Sequence, residues 1–357
     1  MEKNKKIFFT PGPTQLYPNV AKHIKDALSN NICSISHRSR EFEVIFSETT
    51  ESLKRLLNIP NGFHVFFLSS ATEAMERIIE NCVAEHSFHF IGGSFSERFY
   101  IIAKQLMKSP EKLEAEFGKG FEFDLEIPGK TELICFTQNE TSSGVAVDME
   151  DIYAIKKKNP EKLVAVDIVS SVPYVNIEYS LVDCTFFSVQ KGFGLPAGLG
   201  VLIVNDRCIE KSKLLSNKGY NIGSYHSLLS LLSKAEKRQT VETPNILDMY
   251  LLREISKELN NIGIEKIREE TEEKANMIYD FFDRHELYSP FVQDKGIRSK
   301  TTIAIKTPNG SGEVINRLSE KGFVVGSGYG VHKNEQIRIA NFPMHRAGDI
   351  KKMLRLI

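Results

Sequence analysis

Short apolar runs recur through the first 205 residues of the chain, and segments with helical periodicity flank them. The runs lie at 64–68, 133–136, 163–166, 184–187 and 201–204. Short runs that are apolar at nearly every position are typical of strands buried on both faces. The helical patterns include those at 41–57, 72–85 and 149–158. The pattern therefore predicts an α/β architecture with a mainly parallel sheet covered by helices on both sides.

The pattern changes after residue 245. Two long amphipathic helices are predicted at 247–261 and 264–285, with Gly263 between them as a C-cap. Strands at 301–306, 323–325 and 336–340 and a helix at 346–356 are predicted beyond them. We therefore expect an N-terminal lead-in segment at 1–14, a large domain at 15–245 and a smaller C-terminal α/β domain at 246–357.

Composition narrows the class of protein. The chain has 357 residues, of which 41% are hydrophobic and 26% charged, as in ordinary globular proteins. Because 46 basic residues balance 46 acidic ones, no net field attracts nucleic acid or an anionic membrane. No apolar stretch is long enough for a membrane span or a signal peptide. We expect a cytoplasmic protein that acts on small molecules, with neither nucleic acid nor membrane as a partner.

The cysteines and one histidine pair are the residues that could serve as metal ligands or disulfide partners. The five cysteines are Cys33, Cys82, Cys135, Cys184 and Cys208. They are widely separated, odd in number and without a Cys-x-x-Cys pair, so we expect buried thiols in a reducing compartment. His86 and His89 have a possible metal spacing, but no third ligand lies nearby, so no metal site is expected.

Polar residues follow four of the predicted strands, at the edge of a parallel sheet where ligands collect. They are Ser-Ser-Ala-Thr at 69–72, Asn-Glu-Thr at 139–141, Asp167 and the pair Gln190 and Lys191. Residues 69–72 precede a helix, so free backbone N–H groups and the Thr72 hydroxyl could bind a phosphate. Serine and threonine also serve as plain helix caps, which is the alternative for this segment.

Asp167 and Lys191 are the ionisable residues of this set on which chemistry could depend. Asp167 ends a buried strand, where a carboxylate needs a cationic or hydrogen-bonding partner, although an Asp there is also a common turn residue. Lys191 leaves a buried strand into a glycine-rich turn, where it is poorly solvated. A desolvated lysine is the amine nucleophile that Schiff-base chemistry requires, and a surface lysine is the alternative.

Nine short motifs resemble, in the same order, those of the class V aminotransferases, which use pyridoxal 5'-phosphate. They are Thr-Pro-Gly-Pro-Thr at 10–14, Ser-His-Arg-Ser at 36–39 with Glu-Phe at 41–42, Ser-Ala-Thr at 70–72, Gly-Ser-Phe-Ser at 93–96, Asn-Glu-Thr-Ser-Ser-Gly at 139–144, Val-Asp-Ile-Val-Ser-Ser at 166–171, Gln-Lys at 190–191, Glu-Thr-Pro at 242–244 and Ile-Arg-Ile at 337–339. Residues 139–145 and 337–343 are most similar to phosphoserine aminotransferases. Residues 166–171 and 196–200 are as similar to alanine– or serine–glyoxylate aminotransferases.

The resemblance implies a pyridoxal-phosphate aminotransferase fold with the cofactor in the large domain. It implies that Lys191 holds the cofactor as a Schiff base and moves the substrate proton, and that Asp167 keeps the pyridine nitrogen protonated. It implies that Phe95 stacks on the ring and that Thr141 hydrogen-bonds beside it. The residues that it assigns to the cofactor are Ser70, Ala71, Thr72, Phe95, Thr141, Asp167, Gln190, Lys191 and Thr243, the last from a second subunit.

The resemblance also implies the reaction and the substrate contacts. It implies amino transfer between small amino acids and keto acids, most similar to that of phosphoserine:2-oxoglutarate aminotransferases in serine biosynthesis, with an alanine– or serine–glyoxylate type as the alternative. Arg338 would bind the substrate α-carboxylate through a bidentate pair. His37 and Arg38 would reach in from the partner subunit of a homodimer with shared active sites; their other reading is polar residues before a helix.

Two motifs differ from the phosphoserine aminotransferase pattern. The Gly-His-Arg that commonly meets the substrate phosphate is Gly322-Phe323-Val324 here, and the family's Asn-Thr-Pro begins with Glu242, an acid near the expected cofactor phosphate. Two other classes of protein on this scaffold fit the sequence less well. A cysteine desulfurase needs a small-domain cysteine, and none follows Cys208. A non-catalytic binding protein on the same scaffold would have little reason to keep Lys191, Asp167 and Arg338 together.

Overall fold

The structure is a computed structural model that describes residues 6–357. The first five residues, which hold most of the basic N-terminus and the start of the expected lead-in segment, lie outside the described part. The strands are β1 (Ile7–Phe9), β2 (Phe63–Leu68), β3 (His86–Ile91), β4 (Ser109–Glu114), β5 (Leu133–Thr137), β6 (Asn139–Glu140), β7 (Val145–Ala146), β8 (Leu163–Asp167), β9 (Cys184–Ser188), β10 (Gly200–Asn205), β11 (Ser289–Pro290), β12 (Thr302–Lys306), β13 (Phe323–Ser327) and β14 (Gln336–Ala340). The helices are α1 (Val20–Ser29), α2 (Arg40–Leu56), α3 (Ala71–Cys82), α4 (Ser94–Gln105), α5 (Met149–Lys158), α6 (Asp206–Asn217), α7 (Leu228–Ala235), α8 (Ile246–Ile262), α9 (Ile264–Phe282), α10 (Gly312–Glu320) and α11 (Ala347–Leu354).

A seven-stranded sheet forms the centre of the large domain, with strand order β2-β10-β9-β8-β5-β3-β4. Only β10 runs antiparallel to its neighbours, and β9, β8, β5, β3 and β4 are parallel to one another. The prediction of a mainly parallel sheet is therefore confirmed. Parallel pairing brings the carboxyl ends of β5, β8 and β9 to the same edge of the sheet, where the predicted site residues follow.

Apolar side chains cover both faces of this sheet. One face packs against α2, α5 and α8, through residues such as Phe46, Ile152 and Leu252. The other face packs against α3, α4 and α6, through residues such as Ile78 and Phe99. Each fully buried side chain of this size contributes about 1.5–3 kcal/mol through the area it removes from water. The two cores together support the sheet edge beneath the site.

Strands β3 and β4 were not predicted from the sequence. Histidine and serine interrupt the apolar pattern of β3, and glutamate and lysine dominate the edge strand β4. His89 of β3 is buried against the rings of Phe99 and Tyr100, and its Nε2 lies 2.9 Å from the Ser87 hydroxyl. Burial lowers the pKa of His89 to about 3. His89 is therefore a neutral packing residue.

The small domain has a five-stranded sheet in the order β1-β13-β14-β12-β11. Helices α9, α10 and α11 pack on it through a separate core that includes Ile278, Leu318 and Met353. Strand β1 comes from the expected lead-in segment and pairs in parallel with β13. The N-terminus of the described chain is therefore an edge strand of the small sheet.

Helix α8 lies in the core of the large domain, although the expected boundary at 245 assigns it to the small one. Met249, Leu252 and Ile255 belong to the large core and pack towards α2. Gly263 ends α8 with a φ of 91°, and its N–H donates to the Leu259 carbonyl at 3.0 Å, as its predicted C-cap role requires. We therefore propose that the domain boundary lies near Gly263.

All five cysteines are free in the structure. Four of them are buried as expected, but that expectation is wrong for Cys33, which is exposed. Among residues 6–357, no helix is long and apolar enough to cross a membrane. No group of three or more histidine, cysteine or acidic side chains in the same range could hold a metal ion.

The turn after Lys191 depends on a glycine. A Cβ atom added at Gly192 would lie 1.8 Å from the carbonyl oxygen of Val172, so only glycine allows the two backbones to approach this closely. This contact fixes where the chain leaves β9 and hence where the Lys191 backbone lies.

We expect Gly192→Ala to lower the free energy of unfolding by about 1–3 kcal/mol, because the backbones must separate to admit the methyl group. Gly348→Ala is the matched control, since an added Cβ at Gly348 meets nothing within 4 Å. Urea denaturation of both variants measures the difference. Equal stabilities of the two variants would show that the close approach to Val172 is not required.

Candidate active site

Lys191 is a buried amine surrounded by residues from distant parts of the chain. It is 6% exposed, and its Nζ donates to the Thr141 hydroxyl at 2.9 Å. The Nζ also lies 5.0 Å from the centre of the Phe95 ring. Gly12 covers the aliphatic part of the side chain, because a Cβ at Gly12 would lie 2.8 Å from Lys191 Cε. The Thr-Pro-Gly-Pro-Thr segment therefore closes over the lysine.

Asp167 lies at the end of β8, beside Lys191. It is buried, and its Oδ1 accepts a hydrogen bond from the Val169 N–H at 2.8 Å. Within residues 6–357, no group donates a hydrogen bond to Oδ2. One carboxylate oxygen is therefore available to a ligand, which is the arrangement that a buried carboxylate with a missing partner would show.

Burial shifts both ionisable groups towards their neutral forms. It raises the pKa of Asp167 to about 7, against the opposing effects of the Val169 N–H and the Lys191 charge. It lowers the pKa of Lys191 to about 8, although Asp167 and Glu140 oppose that change. Such a lysine is unprotonated far more often at neutral pH than a solvated one, so it can act as a nucleophile and as a base.

Glu140 holds Phe95 in place at the start of α4. Its buried carboxylate accepts hydrogen bonds from the backbone N–H groups of Phe95 at 3.2 Å, Ser96 at 3.0 Å and Ser142 at 3.1 Å. An acid at a helix N-terminus is stabilised by the free N–H groups there. The sequence motif contained Glu140, but we assigned it no role. The sequence signal for this role is an acidic residue that follows a buried strand and directly precedes Thr141. From there its carboxylate could reach the N-terminus of a neighbouring helix.

The small domain supplies Arg338 and Tyr329. The Arg338 Nε donates to the Ser327 carbonyl at 2.8 Å, and its Nη1 donates to the Thr141 carbonyl at 3.1 Å. The guanidinium lies 5.3 Å from the centre of the Tyr329 ring, which in turn lies 5.4 Å from the Phe95 ring. Arg338 Nη2 makes no hydrogen bond to the described residues, so it can bind an anion.

The N-terminus of α3 holds the predicted phosphate-binding residues. Ser70 caps the helix by accepting from the Glu73 N–H at 3.1 Å, and the Ala71 N–H donates to the Ser188 hydroxyl at 2.8 Å. The Thr72 N–H makes no hydrogen bond among the described residues, and its side chain is exposed. Gln190 is partly exposed just before Lys191. The Ala71 N–H in this predicted phosphate site therefore already has a hydrogen-bond partner, and the Thr72 N–H is the donor that remains free for a phosphate.

The three residues expected to act across a subunit interface form one cluster on this chain. The His37 Nδ1 lies 3.2 Å from the Thr243 hydroxyl. The Arg38 Nη1 donates to the Gln239 side chain at 2.9 Å and to the Thr240 carbonyl at 2.7 Å, and Nη2 donates to the Val241 carbonyl at 3.1 Å. Arg38 therefore braces the loop that precedes Thr243, a contact that the sequence did not predict.

Phe323 and Glu242, from the two motifs that differ from the family pattern, both contact other residues of the chain. Phe323 is buried in the small-domain core, with its ring 6.3 Å from that of Phe9, so it does not offer a side chain to a substrate. Glu242 pairs with His226, with Oε2 2.5 Å from Nε2. A cleft of about 780 Å³ lies elsewhere, between α5 and α9, and Asn139 of the predicted polar set lines it.

Comparison with known proteins gives the same family from both sequence and structure. The sequence profile described as Aminotransferase class-V matches residues 7–91 and 119–356. The phosphoserine aminotransferase of Rhodococcus opacus (strain B4) is 24% identical over 355 residues, which are 98% of this chain and 93% of that protein. The solved phosphoserine aminotransferase of Cytophaga hutchinsonii ATCC 33406 is 47% identical, with a TM-score of 0.98 over 99% of this chain and 98% of that one.

The fold is shared more widely. The solved alanine–glyoxylate aminotransferase of Nostoc sp. is 20% identical and aligns with a TM-score of 0.81 over 100% of this chain and 95% of that one. The profile match over most of the chain, the 47% identity to a solved relative and the cluster around Lys191 agree with one another. The chain belongs to the class V aminotransferase family.

Proposed function

We propose that this aminotransferase binds pyridoxal 5'-phosphate at Lys191 and transfers the amino group of phosphoserine to 2-oxoglutarate. One observation carries the cofactor part: Lys191, Asp167 and Phe95, from separate strand and helix ends, meet at one edge of the sheet. The donor part rests on the relative that is 47% identical and is named a phosphoserine aminotransferase.

The residues present fit pyridoxal 5'-phosphate. The amine of Lys191 has a lowered pKa, which suits Schiff-base formation. The open Oδ2 of Asp167 suits a protonated ring nitrogen, and the Phe95 ring offers a flat apolar face. The Thr72 N–H at the start of α3 suits a phosphate group. When bound, the cofactor supplies an electron sink that allows the α-proton of an amino acid to leave.

Lys191 carries the proton in the proposed mechanism. Once the incoming substrate amine has released it, its Nζ would take the proton from the substrate α-carbon and deliver it to the cofactor, because a buried amine with a lowered pKa is an effective base near neutral pH. The Thr141 hydroxyl, 2.9 Å away, orients that amine. Asp167 keeps a proton at the ring nitrogen by offering a carboxylate oxygen in a water-poor setting.

Arg338 and the two aromatic rings position the substrate. The free Nη2 of Arg338 binds the α-carboxylate, while its Nε and Nη1 are held by backbone carbonyls that fix the plane of the guanidinium. Tyr329 and Phe95 flank this space and exclude water. Exclusion of water strengthens the charge–charge contacts inside the site.

The donor side chain would meet His37 and Arg38 of the partner subunit. A phosphate dianion gains roughly 1.5–3 kcal/mol from each charge-assisted hydrogen bond. Arg38 already binds the carbonyls of residues 240 and 241, which leaves it fewer donors for a phosphate. Because Phe323 also turns away from the site, an alanine– or serine–glyoxylate type of reaction is the second candidate.

A homodimer with shared active sites, working in the cytoplasm in serine biosynthesis, completes the proposal. His37, Thr243 and the loop braced by Arg38 form one cluster, as a contribution to a neighbouring site requires. Two-fold symmetry would then give each dimer two equivalent sites.

We expect Asp167→Asn to change how stability depends on pH. The pKa of Asp167 is raised from 3.8 to about 7 on folding, so between these pH values the folded state keeps a proton that the unfolded state has lost. The contribution of Asp167 to the free energy of unfolding is therefore present at low pH and lost as the pH rises through about 7. Urea denaturation of cofactor-free wild type and variant at pH 5 and pH 8 measures this. Parallel changes in both proteins would contradict the raised pKa.

Mixing Lys191→Ala with His37→Ala tests the shared sites. Assayed with phosphoserine, each protein alone should be inactive or severely impaired, and borohydride should fix no cofactor to the Lys191→Ala chain. If subunits exchange, about half of the dimers are hybrids with one intact site, which gives about a quarter of the wild-type activity. Native mass spectrometry monitors the exchange. Exchange without recovery of activity would show that His37 serves its own subunit or is dispensable.

The donor is tested by kcat/KM for phosphoserine, serine and alanine with 2-oxoglutarate or glyoxylate as acceptor. We expect phosphoserine to be preferred at least about tenfold, which corresponds to about 1.4 kcal/mol of transition-state binding. His37→Ala should lower kcat/KM for phosphoserine and leave that for alanine nearly unchanged. A preference for alanine or serine with glyoxylate as acceptor would replace phosphoserine with the second candidate.

A further inference from the structure

His226 is a buried histidine that contacts two carboxylates at once. Its Nδ1 pairs with Oε1 of Glu73, and its Nε2 lies 2.5 Å from Oε2 of Glu242. The residue is 3% exposed. Because a carboxylate oxygen faces each ring nitrogen, both nitrogens must donate, and only the protonated imidazolium can do that.

The pairing fixes the charge of this cluster. Burial opposes protonation, but the hydrogen bonds to Glu242 and Glu73 outweigh it and raise the pKa of His226 to about 9. Burial likewise opposes ionisation of Glu73, yet the bonds from His226 and Ser69 lower its pKa to about 2. The trio therefore carries one net negative charge, and it would carry two without the imidazolium.

Each carboxylate belongs to a different part of the expected phosphate site. Glu73 lies in the first turn of α3, where its Oε2 accepts from the N–H of Ser69 at 2.9 Å and from its hydroxyl at 2.6 Å. Glu242 directly precedes Thr243. Ser69, His226 and Thr243 line one small pocket of about 280 Å³. The histidine therefore joins the α3 turn, beside the phosphate expected in its own subunit, to the loop whose Thr243 is expected to reach the phosphate of the partner subunit.

The identity of residue 242 explains why this chain needs such a partner. The family pattern has Asn before Thr-Pro, whereas this chain has Glu242. An unpaired carboxylate beside a phosphate dianion would repel it, and the repulsion is strong where water is scarce. His226 supplies the missing positive charge.

We propose that His226 is a positioning residue for the cofactor phosphate: it ties the α3 turn to the Thr243 loop and offsets the two carboxylate charges. The inference rests on the proposed function, in which each phosphate binds at residues 70–72 of one subunit and at Thr243 of the partner subunit. His226 does not touch the reacting atoms, so its effect is on phosphate binding.

The test compares affinities of the cofactor-free protein for pyridoxal 5'-phosphate and for pyridoxal, which lacks the phosphate. We expect His226→Gln to weaken binding of the phosphorylated form about tenfold or more, since one positive charge is lost near it, and to change pyridoxal binding by less than about threefold. Fluorescence titration measures both affinities. A second change, Glu242→Asn, in the His226→Gln protein should restore most of the lost phosphate-dependent affinity, because it removes the uncompensated charge.

His64→Gln is the matched control. His64 also pairs with a carboxylate, with Nε2 2.8 Å from Oδ1 of Asp206, but at the opposite end of β2 from Ser69. This variant should leave both affinities unchanged. If His226→Gln does not fold, Glu242→Gln decides instead: it keeps His226 paired with Glu73, removes one negative charge and should raise the phosphate-dependent affinity.

The outcomes separate this inference from the proposed function. A wild type that prefers the phosphorylated form, together with a His226→Gln protein that keeps the same preference, would overturn the role of His226 alone. Equal weakening of both ligands would make His226 merely structural and would also overturn it. A wild type with no preference for the phosphorylated form would overturn the phosphate placement, and the role of His226 with it.

Discussion

The removal of one lysine amine from water is the constraint on which the rest of the site depends. Lys191 is buried between the end of β9 and the Gly12 segment, so its charged form loses most of its hydration. The neighbouring carboxylate of Asp167 is buried too, and each group limits how far the other can shift. The packing of the sheet edge matters because water that entered there would hydrate Lys191 and Asp167 and weaken the effect of burial on both groups.

Several residues around Lys191 act by holding other site residues in place. Glu140 holds the start of α4 and with it the Phe95 ring, while Arg38 holds the loop before Thr243. Arg338 crosses from the small domain and donates to the backbone of Thr141, which itself bonds Lys191. The two domains are therefore linked through hydrogen bonds at the site, and the geometry around the lysine depends on how they are placed relative to each other.

Sequence reasoning located β2, β5, β8, β9 and β10 because burial on both faces leaves a local apolar signature, as at Leu163–Asp167. It missed β3 and β4, where polar residues interrupt that signature. It also failed where the signal was not local. Amphipathicity shows that α8 has a buried face but not which core receives it. The role of His226 depends on carboxylates 153 and 16 residues away, and no pattern near His226 marks them. Likewise, Phe323 lies in a strand that pairs with β1, and its side chain is buried in the small-domain core. That pairing joins residues far apart in the sequence, so no local pattern marks it.

The pairing of β1 with β13 has a consequence for how the protein is made. The register joins Ile7 to Phe323, so β1 has no partner strand until β13, far along the chain, has been synthesised. Contacts between such distant residues form late and slowly, because a long loop must close first. Gly12 follows directly on this strand and can settle over Lys191 only then. A chain that still lacks β13 would therefore have the sheet edge but a hydrated lysine without its Gly12 cover, and the active site would be complete only after β13 has paired with β1.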